Sequence, residues 1–180
     1  MDGENRAGAR QSTAASLRNA VRDQWRSPND MQAAMAVLER PARPVIVDAN
    51  RIRGELKRLA RGSEATALVS LSQAGFLHLF AAQHVLDEVD EHLPEWADAM
   101  GTPLTDLERA WGMVLRPLIT HVAFTSELLT PEEAARIEVL ARPEPVGDPD
   151  DVPTAIAAMV LHAPLISGDA KPLRAVYGEE

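Results

Sequence analysis

Four carboxylates lie far apart in this sequence, at positions where the chain would bring side chains together: Asp48, Glu88, Asp151 and Asp169. Asp48 ends the short β-branched run Val45-Ile46-Val47, and Asp169 lies just past Pro164-Leu165-Ile166-Ser167, a second short strand. In open parallel sheets, ligands bind beyond the carboxyl ends of the strands. Asp151 stands at the start of an Ala-rich helix, and Glu88 one turn into the helix after another strand, so all four can face one cleft. Like charges at close range raise one another's pKa, and unpaired buried charge costs several kcal/mol or more. A divalent cation resolves that conflict, and oxygen-only ligation selects hard ions such as Mg²⁺ or Mn²⁺. Ions of this kind orient and activate water for attack on phosphorus, and a second ion about 3.5–4 Å away would stabilise the leaving oxygen.

Each acid alone also has a plainer role. Asp151 could be only an N-cap, Asp169 a turn residue, and Glu88 one of several acids on a solvated helix face beside Asp87, Asp90 and Glu91. Asp48 is harder to explain that way, because an Asp closing a buried apolar strand is seldom decorative. His84, Glu88 and His92 form a competing set, spaced i, i+4, i+8 for zinc, although no further strong His or Cys ligand stands nearby. The basic residues Arg51, Arg53, Lys57, Arg58 and Arg61 follow Asp48 and make either a solvated helix face or a guide for phosphates; Arg51 and Lys57 are the candidates for contact with a substrate backbone.

The elements that must position these groups read as follows. A polar tail occupies residues 1–12, and helices are expected at Thr13–Arg26 and Met31–Glu39, giving a helical N-terminal extension over 1–43. The domain proper, 44–180, opens with the strand Pro44–Val47 and a helix Arg51–Ala60. A helix Glu64–Gln73, a strand Phe76–Phe80 and a helix Val85–Leu93 come next. Thr105-x-x-Glu108 and Thr130-Pro131-x-Glu133 are capping boxes opening helices near Leu107–Leu115 and Glu132–Leu140, with a third strand expected at Leu118–Phe124 between them. After the Pro- and Asp-rich loop 142–151 come the helix Pro153–His162, the strand Pro164–Ser167 and a terminal edge strand at Val176-Tyr177. Strands alternating with helices predict a three-layer α/β/α sandwich around a central, mostly parallel sheet.

Composition narrows the function classes. The 180 residues contain no cysteine, which excludes disulfides, thiolate metal sites and cysteine nucleophiles. With aromatics at 4%, the core must come mainly from aliphatic side chains. No apolar run approaches the roughly 18–20 residues that cross a bilayer, so no membrane partner is expected. Met1 to Arg10 lacks the apolar segment of a secretory signal, and a cytoplasmic location is the expectation. Twelve basic and seven acidic residues up to Arg61 put that stretch at +5, leaving −14 of the net −9 for the remainder. The asymmetry suits a basic surface beside an acidic site, and equally an acidic domain that takes a basic partner.

Four segments together resemble the motifs of the PIN domain family. Val45-Ile46-Val47-Asp48-Ala49-Asn50 is similar to its opening strand, and His84-Val85-Leu86-Asp87-Glu88-Val89 to its second motif. Asp148-Pro149-Asp150-Asp151-Val152-Pro153 resembles the third, and Ile166-Ser167-Gly168-Asp169 the fourth, in order over about 44–177. The resemblance implies Asp48, Glu88, Asp151 and Asp169 as ligands of Mg²⁺ or Mn²⁺, with Asp148 or Asp150 as alternatives within the third motif. It implies Asn50 and Ser167 as supporting hydrogen-bond partners. It further implies cleavage of single-stranded RNA, and for many bacterial members a toxin role with an antitoxin-like protein partner. A catalytically silent PIN-like interaction module stays open beside these, as does a homodimer.

Overall fold

The structure is a computed structural model; it describes residues 41–63 and 65–178. The helices expected at Thr13–Arg26 and Met31–Glu39 lie outside the described residues. Four strands form the sheet: β1 (Arg43–Val47), β2 (Leu77–Ala82), β3 (Ile119–Val122) and β4 (Leu165–Ile166). Their spatial order is β3-β2-β1-β4 and every pairing is parallel. Consecutive strands step outward from β1 through β2 to β3, and the chain then crosses back to place β4 on the other side of β1. That reversal creates a topological switch point between β1 and β4.

Among the described residues seven α-helices flank the sheet: α1 (Ala49–Ala60), α2 (Ala67–Gln73), α3 (Gln83–Met100), α4 (Leu104–Arg109), α5 (Pro131–Leu140), α6 (Val152–Val160) and α7 (Ala170–Tyr177). The pleat sorts the strand side chains between two layers. Val45, Val47, Leu79 and Ala81 pack with α1 to α4 on one face. Ile46, fully buried, faces the other way onto Ala157, Ala158, Ala163 and Leu165, with Phe80 and Val122 beside it. Ile137, Leu140, Ile156, Met159 and Ala175 then bind α5, α6 and α7 to one another. Each fully buried Leu, Ile or Val side chain contributes roughly 1.5–3 kcal/mol. The expected three-layer α/β/α sandwich is the fold.

Three local expectations change. Val176 and Tyr177 close α7 and form no edge strand; Ala175 is buried and Val176 packs inward at helical spacing, so tertiary packing overrides the β propensity of the pair. The box Thr105-x-x-Glu108 does not form: α4 starts at Leu104 after Pro103, with no side-chain cap. α3 also runs through Pro94 to Met100 rather than stopping at Leu93. An internal proline costs about 3 kcal/mol, which the burial of Trp96 and Ala97 beyond it offsets; Gly101, at φ 62, then ends the helix in the left-handed conformation. The second box is complete, with Thr130 N–H donating to Glu133 at 2.8 Å and Glu133 N–H to Thr130 Oγ1 at 3.3 Å.

Candidate active site

Asp48 is the single residue between β1 and α1, and it is 6% exposed. Its Oδ1 accepts from Arg51 N–H at 2.7 Å, so the strand's exit and the helix's N-cap are one side chain. Asp169 does the same for α7: its Oδ1 accepts from Lys171 N–H at 2.8 Å, while its own N–H donates to Ser167 Oγ at 2.9 Å. β1 and β4 are neighbours with Val47 opposite Ile166, so both aspartates leave the same edge of the sheet at the switch point.

Asp151 ends a short 3₁₀ turn, 149–151, immediately before α6, and makes no capping hydrogen bond there. The cap-like bond belongs to Asp148, whose Oδ1 accepts from Asp150 N–H at 3.2 Å. Gly147 sets this turn in place. A Cβ there would collide with the carbonyl of Leu140 and lie 2.6 Å from those of Val139 and Arg142, because the loop returns across the C-terminus of α5. The return is fixed by Asp148 N–H donating to Leu140 O at 2.8 Å.

Asp48, Glu88, Asp151 and Asp169 all line one cleft of about 580 Å³, together with Asn50, His84, Asp87, Glu91, His92, Asp148 and Asp150. Of the acids on α3, Asp87, Glu88 and Glu91 face this cleft, whereas Asp90 turns away to accept from Trp111 Nε1 at 2.5 Å. The charges feel one another. Burial, followed by the charges of Asp148, Asp169, Asp48 and Glu88, pushes the Asp151 carboxyl up to about 7. The Glu88 carboxyl is also raised, first by burial and then, against the opposing pull of His92, by Asp48, Asp150 and Asp148. His84 is lowered by burial, which outweighs the charges of Asp150 and Asp87. Among the described residues no three His, Asp or Glu side chains close up into a ready chelate; carboxylates of like charge do not close on one another unaided.

The remaining candidates separate. His84 Nε2 meets Thr154 Oγ1 at 3.4 Å and its Nδ1 is buried without a partner. His92 pairs with Glu95 at 3.1 Å and stacks near Trp96, so the i, i+4, i+8 set does not close as a zinc site. Arg51 reaches back to the buried Glu55 at 2.5 Å, and neither Arg51 nor Lys57 lines the cleft. Glu55, 2% exposed, also accepts from the Thr66 hydroxyl that caps α2, so this pair is structural. The sequence offered no sign of that role except an acid at i+4 from Arg51. The part of Gly147 was equally hidden, since it depends on the loop's return across the end of α5.

Among the described residues no helix is long and apolar enough to cross a membrane. No curated protein and no solved structure matches the chain. The family model of the PIN domain, whose members are typically metal-dependent nucleases, matches residues 46–175, a span that runs from β1 through α7 and takes in all four acids. With well over half of its length matched and an all-parallel sheet of this order, the chain belongs to the PIN domain family.

Proposed function

We propose that this protein hydrolyses phosphodiester bonds of single-stranded RNA, using Mg²⁺ or Mn²⁺ held by Asp48 and Asp169 with Glu88 and Asp151 completing the site. The observation that carries the reading is the convergence of these four acids, from four separate segments, on one cleft at the switch point of the sheet. The donors fit a hard cation: every candidate ligand is a carboxylate oxygen, and the Asp151 carboxyl is raised first by burial and then by the neighbouring carboxylates, a combination that a bound cation would relieve. A bound ion would supply Lewis-acid charge and a water ionised near neutral pH.

The chain's own residues do the positioning. Asp48 and Asp169 each commit Oδ1 to a helix N-terminus, which fixes the carboxylate and leaves its second oxygen for a ligand. Ser167 holds the backbone of Asp169, and Asn50 stands on the cleft wall one residue into α1. Asp148 shapes the turn that presents Asp151. The acids that attract a cation also repel phosphate, so RNA is expected to bind only with the ion present.

Incubating single-stranded RNA with Mn²⁺ and either the wild type or Asp48→Asn tests the reading. Cleavage by the wild type alone supports it, and cleavage by neither protein across several RNAs identifies a silent interaction module. Growth arrest on expression, relieved by Asp48→Asn, would identify a toxin, whose antitoxin-like partner must answer the acid cleft with cations.

A further inference from the structure

Lys171 joins the acid cleft to a second, smaller depression. Its N–H holds Asp169, while its Nζ lies 2.6 Å from Glu144 and 3.3 Å from the carbonyl of Gly147. Beyond it, between α5 and α7, lies a groove of about 240 Å³ with Val139, Leu140 and Val146 among its walls and Arg136, Lys171 and Arg174 along it. Val139 and Val146 are 44% and 57% exposed, so the apolar wall is open to solvent. Only six cations follow Arg61 in the sequence, Arg109, Arg116, Arg136, Arg142, Lys171 and Arg174, and three of them line this one groove. Such clustering runs against the −14 carried by that part of the chain.

We propose that this groove binds the phosphate backbone of single-stranded RNA on its way out of the acid cleft, with the exposed apolar wall taking an unpaired base. The inference rests on the nuclease reading. Eight carboxylates line the cleft and repel a polyanion, so affinity for a chain of nucleotides must come from cations outside it. Arg51 and Lys57, the cations next to Asp48 in sequence, do not line the cleft, and Arg51 is bound to Glu55. Lys171 lines the groove and ties it to the cleft: its N–H holds Asp169 on the cleft wall, and its Nζ holds the carbonyl of Gly147, next to Asp148 of that wall. Its present ion pairs are exchangeable: Glu144 is 72% exposed and Glu132, paired with Arg136 at 3.5 Å, is 88% exposed. Arg174 is exposed and has no ion pair among the described residues. An acidic peptide with an apolar anchor has similar complementarity, but it would gain nothing from continuity with the cleft.

The test uses the full wild-type chain, so that the cation site is intact, and a fluorescent single-stranded 20-nucleotide RNA with cleavage-resistant phosphorothioate linkages, followed by anisotropy in Mn²⁺ at several salt concentrations. Arg174→Glu should weaken binding by about 10-fold or more and reduce the salt slope by roughly one or more, as expected for loss of a phosphate contact. Arg53→Glu, a reversal on α1 away from the groove, should change binding less than about 3-fold. Melting curves for each variant verify that the fold is kept, and Lys171→Gln provides a second, milder loss at the same groove. Equal binding by Arg174→Glu, Lys171→Gln and the parent overturns the groove, and cleavage by the wild type would then leave the nuclease reading standing. Conversely, Arg174-dependent binding with no cleavage by the wild type keeps the groove and removes the nuclease. Absence of RNA binding by the parent protein overturns the proposal, and Arg174-dependent capture of an acidic peptide in its place would assign the groove to a protein partner.

Discussion

Val47 lies directly opposite Ile166 in parallel register, and that pairing is what allows Asp48 and Asp169, 121 positions apart in the chain, to leave the sheet at one edge. Each aspartate then caps the helix it precedes, so the geometry of the site and the start of two helices are the same structural event.

Asp48→Asn separates the two roles. Asparagine caps a helix about as well as aspartate, so melting should move little, whereas loss of a ligand carboxylate should lower RNA cleavage by about 100-fold or more. Asp48→Ala should lose the cleavage and also about 1 kcal/mol of stability. Paired denaturation and activity measurements check the separation.

The raised carboxyl of Asp151 makes the metal-free protein sensitive to pH. In the folded state this group holds its proton up to about 7, while the unfolded chain releases it near its ordinary value of 3.8. The folded state therefore binds more protons between these values, and stability must fall as pH rises from about 4 to about 7. Asp151→Asn should remove that loss, giving a higher melting temperature than the wild type at pH 8 in chelator. The same linkage makes Mn²⁺ affinity rise with pH through about 7, with protons released on binding. Calorimetry in buffers of different ionisation enthalpy reads that release directly.

Glu55 should matter to the fold and not to the chemistry. It is buried, paired with Arg51 and hydrogen-bonded to the Thr66 cap. Glu55→Ala breaks the tie between α1 and α2 and is expected to cost about 2–3 kcal/mol. Chemical denaturation measures it, and cleavage per folded molecule should stay near the wild-type value.

Gly147→Ala acts on both. Its Cβ has no room against the carbonyls that end α5, so the loop must move. A cost of about 1–3 kcal/mol is expected from the overpacking, and the turn carrying Asp148 to Asp151 moves with it. Cleavage should fall even at temperatures where the protein remains folded.

Much of this architecture was legible because its signals are local. The β-branched run before Asp48, the break at Gly75 and the box at Thr130 each act within a few residues, and they located strands and helices correctly. The layers followed from alternation of strand and helix. The errors occurred where distant packing decides. Pro94 reads as a stop until Trp96 and Ala97 are seen to be buried beyond it, and Val176-Tyr177 reads as a strand until Ala175 and Val176 are seen packing inward. At the site, the acids that end strands were recognisable by position. No local pattern separates Asp90, which serves Trp111, from Glu88, which faces the cleft, and none marks Arg51 as the partner of a buried acid.

Diffraction from a crystal soaked in Mn²⁺, recorded at the manganese absorption edge, tests the central claim most directly. The account predicts an anomalous peak in the cleft within about 2.0–2.3 Å of carboxylate oxygens from both Asp48 and Asp169, with Glu88 or Asp151 completing its shell directly or through water. A cleft without manganese at a concentration that saturates other sites, or an ion that touches neither aspartate, would contradict it.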